Sequence, residues 1–316
     1  MSQPERVLLT GVLGCIGSWI AKLLVEDGVG VVGVDIGDDT RRLDALGIGS
    51  HPLLDLVRAD VSDLDALAAA TGGGGGVDAI IHSAALQIPA SREAPSLAAR
   101  VNVVGTVNAF ELARRLGLER VTYASSVAVH GSSDPAGGKP VTSTTAATPT
   151  EHYGVYKLAN EGSARIFYEH DGISSIGLRP HTVYGPGRDV GVTSAPTVAV
   201  QHAIQGEKYH IPYGGMSGFN FVEDTARAFI AATRSDVPGA LVVPMRGQVL
   251  SMEQYLEAMR EVLGSAASNI TAGTEQLDLP WDVDEGDFER ALGFPSVQTD
   301  VTEGIQRTAK FFQEQA

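Results

Sequence analysis

The amino-acid sequence predicts an α/β fold, a doubly wound parallel sheet with helices on both faces and a smaller C-terminal lobe. In the first half of the chain, short apolar runs alternate with amphipathic stretches. The apolar runs lack the alternation of polar and apolar residues that a half-exposed strand shows, so they predict strands buried on both faces. Strands that alternate with helices form parallel sheets. With 316 residues, 43% of them hydrophobic, the chain can build a large core.

The predicted elements of the first 178 residues follow one another in a regular order. Residues 17–27 form an amphipathic helix, because Ile20, Leu23 and Leu24 fall on one stripe. The glycine run at residues 72–76 predicts a surface loop, and residues 134–150, rich in Pro, Gly, Ser and Thr, predict a loop over the sheet edge. Strands are predicted at residues 7–10, 29–36, 56–61, 78–85, 120–124 and 174–178, and further helices at 63–70, 97–116 and 153–170.

The regular order ends after residue 178, where prolines separate shorter elements. We therefore predict a large domain over residues 1–178 and a smaller, ligand-closing lobe over residues 179–218 and 247–316. A helix at 222–233 and a strand at 240–243 predict that residues 219–246 return to the large domain. The chain ends in a predicted surface helix at 301–314.

A glycine motif joins the first predicted strand to the first helix. Gly11 permits a tight turn, Gly14 lets the backbone approach a pyrophosphate, and Gly17 lets helix and strand pack closely. Cys15 and Ile16 lie between them, where the helix N-terminus offers N–H groups and a positive dipole end to phosphates. The motif predicts a dinucleotide site of the Rossmann type.

An acidic residue at the end of the second strand predicts which dinucleotide binds. Asp35 can accept hydrogen bonds from both adenosine ribose hydroxyls and would repel a 2′-phosphate, so NAD is predicted over NADP. Asp38 and Asp39 are interpreted as solvated loop acids. Arg41 and Arg42 count against NAD, because an arginine nearby can accept a 2′-phosphate.

A tyrosine and a lysine form the candidate catalytic pair. Tyr153 and Lys157 are four residues apart, on one face of a predicted helix. We expect the Lys157 ammonium, together with a positive nicotinamide ring, to lower the pKa of Tyr153 so that it can exchange a proton with a substrate hydroxyl. A second role open to Lys157 is donation to the nicotinamide ribose. Tyr156 competes for this role but points away. Ser125 and Ser126 end the fifth strand, at the sheet edge where ligands bind.

These motifs, taken in order, resemble a known family. The glycine pattern and Asp35 are followed by Asn102, by Ser125-Ser126 and by Tyr153 with Lys157, and further motifs lie at residues 82–85 and 178–187. The set resembles the extended short-chain dehydrogenase/reductase family, the NAD-dependent epimerase/dehydratase group, over residues 6–235. The resemblance implies a Rossmann fold, NAD as cofactor and an enzyme of carbohydrate metabolism.

The resemblance also implies residue roles. Ser126, Tyr153 and Lys157 match the catalytic residues, and Asn102 matches an asparagine that holds the active-site helix in place. Relatives commonly form dimers through the two helices at 97–116 and 153–170. The implied cofactor-binding residues are Gly11, Gly14, Cys15, Ile16, Gly17, Asp35, Asp60, Val61, Ala84, Ala85, Asn102, Tyr153, Lys157, Pro180 and Val183.

Two positions depart from the nucleotide-sugar members of the family. Thr182 stands where an asparagine is usual, and residues 214–220, before Val222, contain no arginine. Both side chains would normally hold a substrate diphosphate, so their absence lowers the case for a nucleotide sugar. Arg188 could substitute, or it could pair with Asp189. The candidate substrate contacts are Gln87, Ser126, His181 and Arg188.

Composition excludes several partner classes. The formal net charge of −15 makes nucleic acid and anionic membrane poor partners. One cysteine, Cys15, forbids an internal disulfide and suits a reducing compartment. No signal peptide and no membrane-spanning run is visible, so we expect a cytoplasmic protein. The histidine and cysteine spacings predict no metal site.

Three functions fit the sequence. The first is an NAD-dependent oxidoreductase that oxidises a secondary alcohol of a sugar, sugar acid or polyol. The second is an epimerase or dehydratase that returns the hydride internally. The third is a non-catalytic NAD-binding regulator, against which the intact Ser126, Tyr153 and Lys157 argue. The weak diphosphate site favours the first over the second.

Overall fold

The structure, a computed structural model, describes residues 4–72, 76–132, 134 and 136–315. Residues 73–75 of the predicted glycine loop lie outside the described residues. The strands in chain order are β1 (Arg6–Thr10), β2 (Gly30–Asp35), β3 (Leu54–Arg58), β4 (Ala79–His82), β5 (Arg120–Ala124), β6 (Ser174–Arg179), β7 (Thr182–Tyr184), β8 (Tyr209–Ile211), β9 (Met216–Phe221), β10 (Ala240–Pro244), β11 (Gln248–Ser251) and β12 (Ile270–Ala272).

The helices flank these strands and also occupy the C-terminal part of the chain. In chain order they are α1 (Cys15–Glu26), α2 (Arg41–Ala45), α3 (Leu64–Ala70), α4 (Ile88–Glu93), α5 (Pro95–Ala99), α6 (Gly105–Leu116), α7 (His152–Asp171), α8 (Ala195–Ile204), α9 (Val222–Arg234), α10 (Met252–Leu263), α11 (Gly286–Leu292) and α12 (Val301–Gln315).

A seven-stranded parallel sheet forms the centre of the molecule, in the order β10-β6-β5-β4-β1-β2-β3. In its register, Thr10 of β1 lies opposite Val34 of β2 on one side and His82 of β4 on the other. Leu8 and Leu9 of β1 are fully buried, as a strand covered on both faces requires. The predicted doubly wound sheet is therefore confirmed. Because strand order reverses between β1 and β4, ligands are expected at the carboxyl ends of these strands.

The third strand departs from its prediction as a buried strand. β3 lies at the sheet edge and pairs with β2 alone. Leu56 is 41% exposed there, and the flanking residues Asp55 and Arg58 are also exposed. An apolar run does not reveal whether its strand is central or at the edge, so the prediction of burial was wrong.

The predicted helix at 97–116 is interrupted. Helices α5 and α6 are joined by a π-helical segment, Arg100–Val104. Asn102 lies in this segment with no exposed surface. Its Oδ1 accepts a hydrogen bond from the Leu86 N–H at 2.7 Å, and its Nδ2 donates to the Leu86 carbonyl at 2.9 Å. The π turn thus presents one buried amide to the backbone that follows β4.

The C-terminal part of the chain adds two small sheets and a second core. β7, β9 and β11 form one sheet, and β8 pairs with β12. Residues 219–221 belong to β9, whereas β10 joins the main sheet beside β6. The second core includes Tyr184, Phe219 and Tyr255, and the Phe219 and Tyr255 rings stack at a centroid distance of 4.9 Å. The terminal helix α12 buries Val301 and Ile305 in the same core.

Two further observations concern membrane-spanning helices and metal-binding side chains. No helix in the part of the chain that the structure describes is long and apolar enough to cross a membrane. Among the same residues, no group of at least 3 His, Cys, Asp or Glu side chains is arranged to hold a metal ion.

Candidate active site

A cavity of about 730 Å³ opens along the carboxyl ends of the central strands. Asp35 borders it on one side, and Tyr153 and Lys157 border it on another. Most of the candidate residues line this one cavity: Gly11, Gly14, Cys15, Ile16, Gly17, Asp35, Asp60, Val61, Ala84, Ala85, Gln87, Ser126, Tyr153, Lys157, Pro180, His181, Val183 and Arg188.

Asn102 is the exception among the implied cofactor-binding residues. It does not line the cavity, because its side chain is fully buried behind Leu86, which does. Its two hydrogen bonds fix the Leu86 backbone. The structure therefore supports a positioning role for Asn102 rather than a contact with the cofactor.

The glycine turn provides the space that a pyrophosphate needs. Gly11 has a φ of +74°, and a Cβ there would lie 2.7 Å from the backbone of Ala84. A Cβ on Gly17 would overlap the Gly11 carbonyl oxygen. Gly14 caps α1 without a side chain, so the first N–H groups of the helix have no side-chain partner. Burial raises the pKa of the Cys15 thiol to about 11, so this residue enters the turn uncharged.

Asp35 is held at the cavity wall by backbone groups. Its Oδ2 accepts a hydrogen bond from Leu13 N–H at 3.1 Å, and its Oδ1 accepts one from Gly37 N–H at 3.2 Å. A carboxylate has further lone pairs with which to bind ribose hydroxyls. The glycine turn, the helix N-terminus and this carboxylate together fit a dinucleotide such as NAD.

Tyr153 and Lys157 lie on one face of α7, but they do not interact as the sequence predicted. The Lys157 Nζ donates to the Ala124 carbonyl at 2.6 Å and lies 5.5 Å from the centroid of the Tyr153 ring. Burial lowers the pKa of Lys157 to about 8, and the Glu161 carboxylate opposes this effect.

The pKa of Tyr153 is raised, not lowered, relative to a free phenol. Burial is the main cause, and a hydrogen bond with the Ser126 side chain and the Arg188 charge act in the opposite direction. The expectation that Lys157 lowers this pKa was wrong, because the ammonium is directed at a backbone carbonyl. The groups that favour the phenolate here are Ser126 and Arg188.

The two serines at the end of β5 have different environments. Ser125 is buried, and its Oγ donates to Glu161 Oε1 at 2.5 Å. Ser126 begins a 3₁₀ turn, where its Oγ accepts a hydrogen bond from Ala128 N–H at 3.2 Å. Its hydroxyl hydrogen remains free to donate, and it acts on the pKa of Tyr153. This favours Ser126 over Ser125 as the residue that contacts substrate.

A buried ionic network behind the site was missed by the sequence analysis. Arg179 Nε and Nη2 donate to the two carboxylate oxygens of Glu161 at 2.8 and 2.7 Å. Arg179 Nη1 lies 3.1 Å from His130 Nε2. Burial, and then the Arg179 charge, lower the pKa of His130 to about 4. The available signal was that Glu161 follows Lys157 by four residues, on the same helix face.

Arg188 enters the cavity without an acidic partner. Asp189 pairs instead with Arg41 and Arg42, so the predicted alternative of an Arg188–Asp189 pair is wrong. Arg188 Nη2 donates to Thr193 Oγ1 at 3.0 Å, and no carboxylate among the described residues forms an ion pair with it. A Cβ on Gly191 would contact both Gln87 and Arg188, so these two candidate substrate residues are neighbours.

His181 lines the cavity, but both of its ring nitrogens are occupied. Its Nε2 is hydrogen-bonded to the Pro280 carbonyl, and its Nδ1 accepts from Thr182 N–H at 2.9 Å. Burial lowers the pKa of His181 to about 4, so the ring is neutral near pH 7. Thr182 is fully buried and shares a 2.7 Å hydrogen bond with Ser217. Neither side chain presents a spare polar atom to a ligand.

Comparison with known proteins places the chain in a family. An uncharacterised protein of Sinorhizobium fredii, y4nG, is 32% identical to this chain over 231 residues. The match covers 72% of this chain but 53% of y4nG, so the chain spans about half the length of that relative. A UDP-glucose 4-epimerase of Mycolicibacterium smegmatis is 29% identical over 72% of each chain. The solved structure of MoeE5 in complex with UDP-glucuronic acid and NAD has a TM-score of 0.79 and 26% identity, over 98% of this chain and 100% of that one. The model of the NAD-dependent epimerase/dehydratase family matches residues 7–243, so the chain belongs to that family and NAD is its cofactor.

Proposed function

We propose that the protein is a sugar epimerase that oxidises its substrate at one carbon and reduces it again with the hydride it has taken. The observation that carries this proposal is that Ser126, Tyr153 and Lys157 share one cavity with Asp35 and the glycine turn. When bound, NAD supplies the hydride acceptor and donor. The named relatives favour this internal cycle over the net dehydrogenase that the sequence favoured.

The residues beside Ser126 favour an epimerase over a dehydratase. Loss of a hydroxyl as water requires an acid that protonates the leaving group. The turn that follows Ser126 brings Val127 and Ala128 to the cavity, and neither has an acidic group. Glu151 and Asp278 also border the cavity, and Glu151 is paired with Arg92. An epimerase needs a proton to move at one oxygen only, which Tyr153 can provide.

Each catalytic side chain then has a defined task. Ser126 Oγ donates to the oxygen of the reacting carbon and orients it. Tyr153 Oη accepts the hydroxyl proton during oxidation and returns it during reduction. The Arg188 charge favours the phenolate that this exchange requires. Lys157 contributes a positive charge at the wall behind Tyr153.

We also propose that Arg188 holds an anionic group of the substrate. Its guanidinium lies in the cavity wall with no acidic partner among the described residues, while His181 and Thr182 are already hydrogen-bonded. A guanidinium binds a diphosphate or a carboxylate through paired hydrogen bonds. The named relatives supply both chemistries, because UDP-glucuronic acid carries a diphosphate and a carboxylate. The class that we favour is therefore a nucleotide-linked sugar.

The experiment that tests this function follows product and cofactor together. The protein is incubated with NAD and, separately, UDP-glucose, UDP-galactose, UDP-glucuronate, free glucose or free glucuronate. We expect an epimer of one nucleotide sugar to form while free NADH does not accumulate. Steady accumulation of NADH with an oxidised product would establish a net dehydrogenase and overturn the proposal.

Two tyrosine variants test the assigned residue. Tyr153→Phe should lower turnover by roughly 10²–10⁴-fold, the usual contribution of a general acid–base group. Tyr156→Phe is the matched control, because the Tyr156 hydroxyl donates to the Pro95 carbonyl at 2.9 Å. Unchanged turnover in Tyr153→Phe would refute the catalytic assignment. Binding of NAD without any turnover would favour a regulator.

We propose that the protein is a homodimer, with α5, α6 and α7 at the interface. Helices α5 and α7, and the π segment that leads into α6, carry apolar side chains with large exposed fractions, namely Leu97 (54%), Val104 (43%), Val155 (47%) and Ile166 (40%). Sedimentation should therefore show a dimer, and Val155→Glu should yield a monomer. Leu53→Glu is the control, because Leu53 is also exposed (37%) but precedes the edge strand β3. A wild-type monomer would contradict the proposal.

We further propose that residues 179–218 and 247–316 form the substrate lobe. Leu277 and Leu279 border the same cavity as Tyr153, which supports this division. A reducing cytoplasm suits a chain whose one cysteine is a free thiol at the glycine turn. Reporter fusions in the source cell test the location, and an external location would contradict it.

A further inference from the structure

We propose that Asp189 sets the dinucleotide preference of the cavity, by occupying the arginine that would otherwise bind a 2′-phosphate. Asp189 follows β7 and lies 147 residues from Arg42 in the sequence. Its Oδ1 is paired with Arg42 Nη2, and its Oδ2 accepts from Arg41 Nη2 at 2.7 Å. Both arginines that count against NAD in the sequence are thus bound to one distant carboxylate.

Arg42 lies next to the residue that selects the ribose. Its Nη1 donates to the Leu13 carbonyl at 2.9 Å, while the Leu13 N–H donates to Asp35 Oδ2 at 3.1 Å. Leu13 therefore bridges Arg42 and Asp35, and both of these side chains border the cavity. Arg42 Nε also donates to the Gly187 carbonyl at 3.0 Å.

These bonds keep Arg42 in place whether or not Asp189 is present. The two backbone carbonyls hold Nη1 and Nε, and the Arg42 side chain is only 15% exposed. Without the Asp189 carboxylate, the charge of the Arg42 guanidinium, which borders the cavity, would be uncompensated. Arg41 differs, because its side chain is 59% exposed and contacts Asp39 at 3.2 Å. Arg42 is therefore the arginine whose charge beside the cavity Asp189 compensates.

The electrostatic consequence is the loss of net negative charge beside Asp35. With Asp189 present, the charge of Arg42 is compensated, and Asp35 repels a 2′-phosphate. Without it, one uncompensated guanidinium offsets Asp35 and can donate to a phosphate. The partly exposed pair contributes little to stability, so loss of Asp189 should leave the fold intact.

Calorimetric titration of the protein with NAD and, separately, with NADP tests the proposal without any substrate. Asp189→Asn should lower the Kd for NADP by roughly tenfold, the value of a charge-assisted hydrogen bond, and change the Kd for NAD by less than about threefold. Asp65→Asn is the matched control, because Asp65 also pairs with an arginine, Arg115 at 3.1 Å, but does not border the cavity. It should leave the ratio of the two Kd values unchanged.

A second substitution assigns the effect to its arginine. Adding Arg42→Ala to Asp189→Asn should abolish the gain in NADP affinity, whereas adding Arg41→Ala should preserve it. An unchanged NADP affinity in Asp189→Asn would overturn the proposal. A parallel weakening of NAD and NADP would also overturn it, because Asp189 would then only hold its loop. These titrations are independent of whether the enzyme is an epimerase.

Discussion

Replacing Glu161 by glutamine should destabilise the protein strongly, because Glu161 neutralises a buried arginine. In the native protein the Arg179 and Glu161 side chains are 4% and 8% exposed, and two hydrogen bonds join them. The glutamine amide would leave the Arg179 charge uncompensated in a buried site. Ser125 would also lose the carboxylate that its hydroxyl binds at 2.5 Å.

The expected magnitude follows from burial. Removing one partner of a buried ion pair costs about 3–5 kcal/mol of unfolding free energy. The same helix α7 offers a matched control in Glu169→Gln, because Glu169 pairs with Arg165 at 2.8 Å and these side chains are 47% and 60% exposed. An exposed pair at this spacing contributes roughly 0.3–0.5 kcal/mol.

Urea unfolding at pH 7, followed by circular dichroism, measures both losses. We expect Glu161→Gln to exceed Glu169→Gln by at least about 2 kcal/mol. Adding Arg179→Met to Glu161→Gln should recover most of the loss, because an apolar side chain removes the uncompensated charge. Equal losses in the two single variants would refute the reasoning that the pair is desolvated.

Three further predictions concern pH and the glycine turn. The free energy of unfolding should fall as pH decreases from about 6.5 toward 4, by up to about 1.4 kcal/mol per pH unit for each buried neutral histidine. The reason is that the unfolded chain binds protons that the native protein excludes. A urea midpoint that does not change over this pH range would contradict the prediction. These histidines, with their lowered pKa values, are His82 (about 3), His130 (about 4) and His181 (about 4). If turnover requires the Lys157 ammonium, it should decline above about pH 8, because the pKa of Lys157 in the structure is about 8 and not the usual 10.5. A pH–rate profile that is still level at pH 9.5 would show that the ammonium is not required. Gly17→Ala should weaken NAD binding by more than about tenfold in calorimetry, since its Cβ overlaps the Gly11 carbonyl, whereas Gly162→Ala, with open space around it, should not.

Several strands of the main sheet were predictable as elements, because an apolar run without polar alternation indicates burial on both faces. Val7 to Thr10 and Arg120 to Ala124 are such runs, and each forms its strand within one residue of the prediction. The edge position of β3 depends on which strand lies beside it, which no local pattern contains. The π segment around Asn102 likewise depends on the distant backbone of Leu86.

Candidate site residues could be predicted from the sequence where a motif fixes the backbone conformation. They could not be predicted where a residue distant in the sequence determines the contacts of the side chain. The glycine turn and Asp35 belong to the first kind, since their spacing sets their geometry. Arg188 belongs to the second, because its freedom depends on Asp189 binding Arg42 instead. The direction of the Lys157 ammonium, toward the Ala124 carbonyl, is also a tertiary property.

Helix α7 connects the chemistry of the cavity to the molecular surface. It is a continuous rod of 20 residues, with Tyr153 in its first turn and the exposed Ile166 near its other end. A rod of that length is about 30 Å long, so tilting it by about 5° about its far end displaces the Tyr153 end by about 2.6 Å. Misplacement by 1 Å can reduce a rate by about 10²-fold. Contacts on the outer side of α7, such as those of the proposed dimer partner, would therefore influence turnover without entering the cavity.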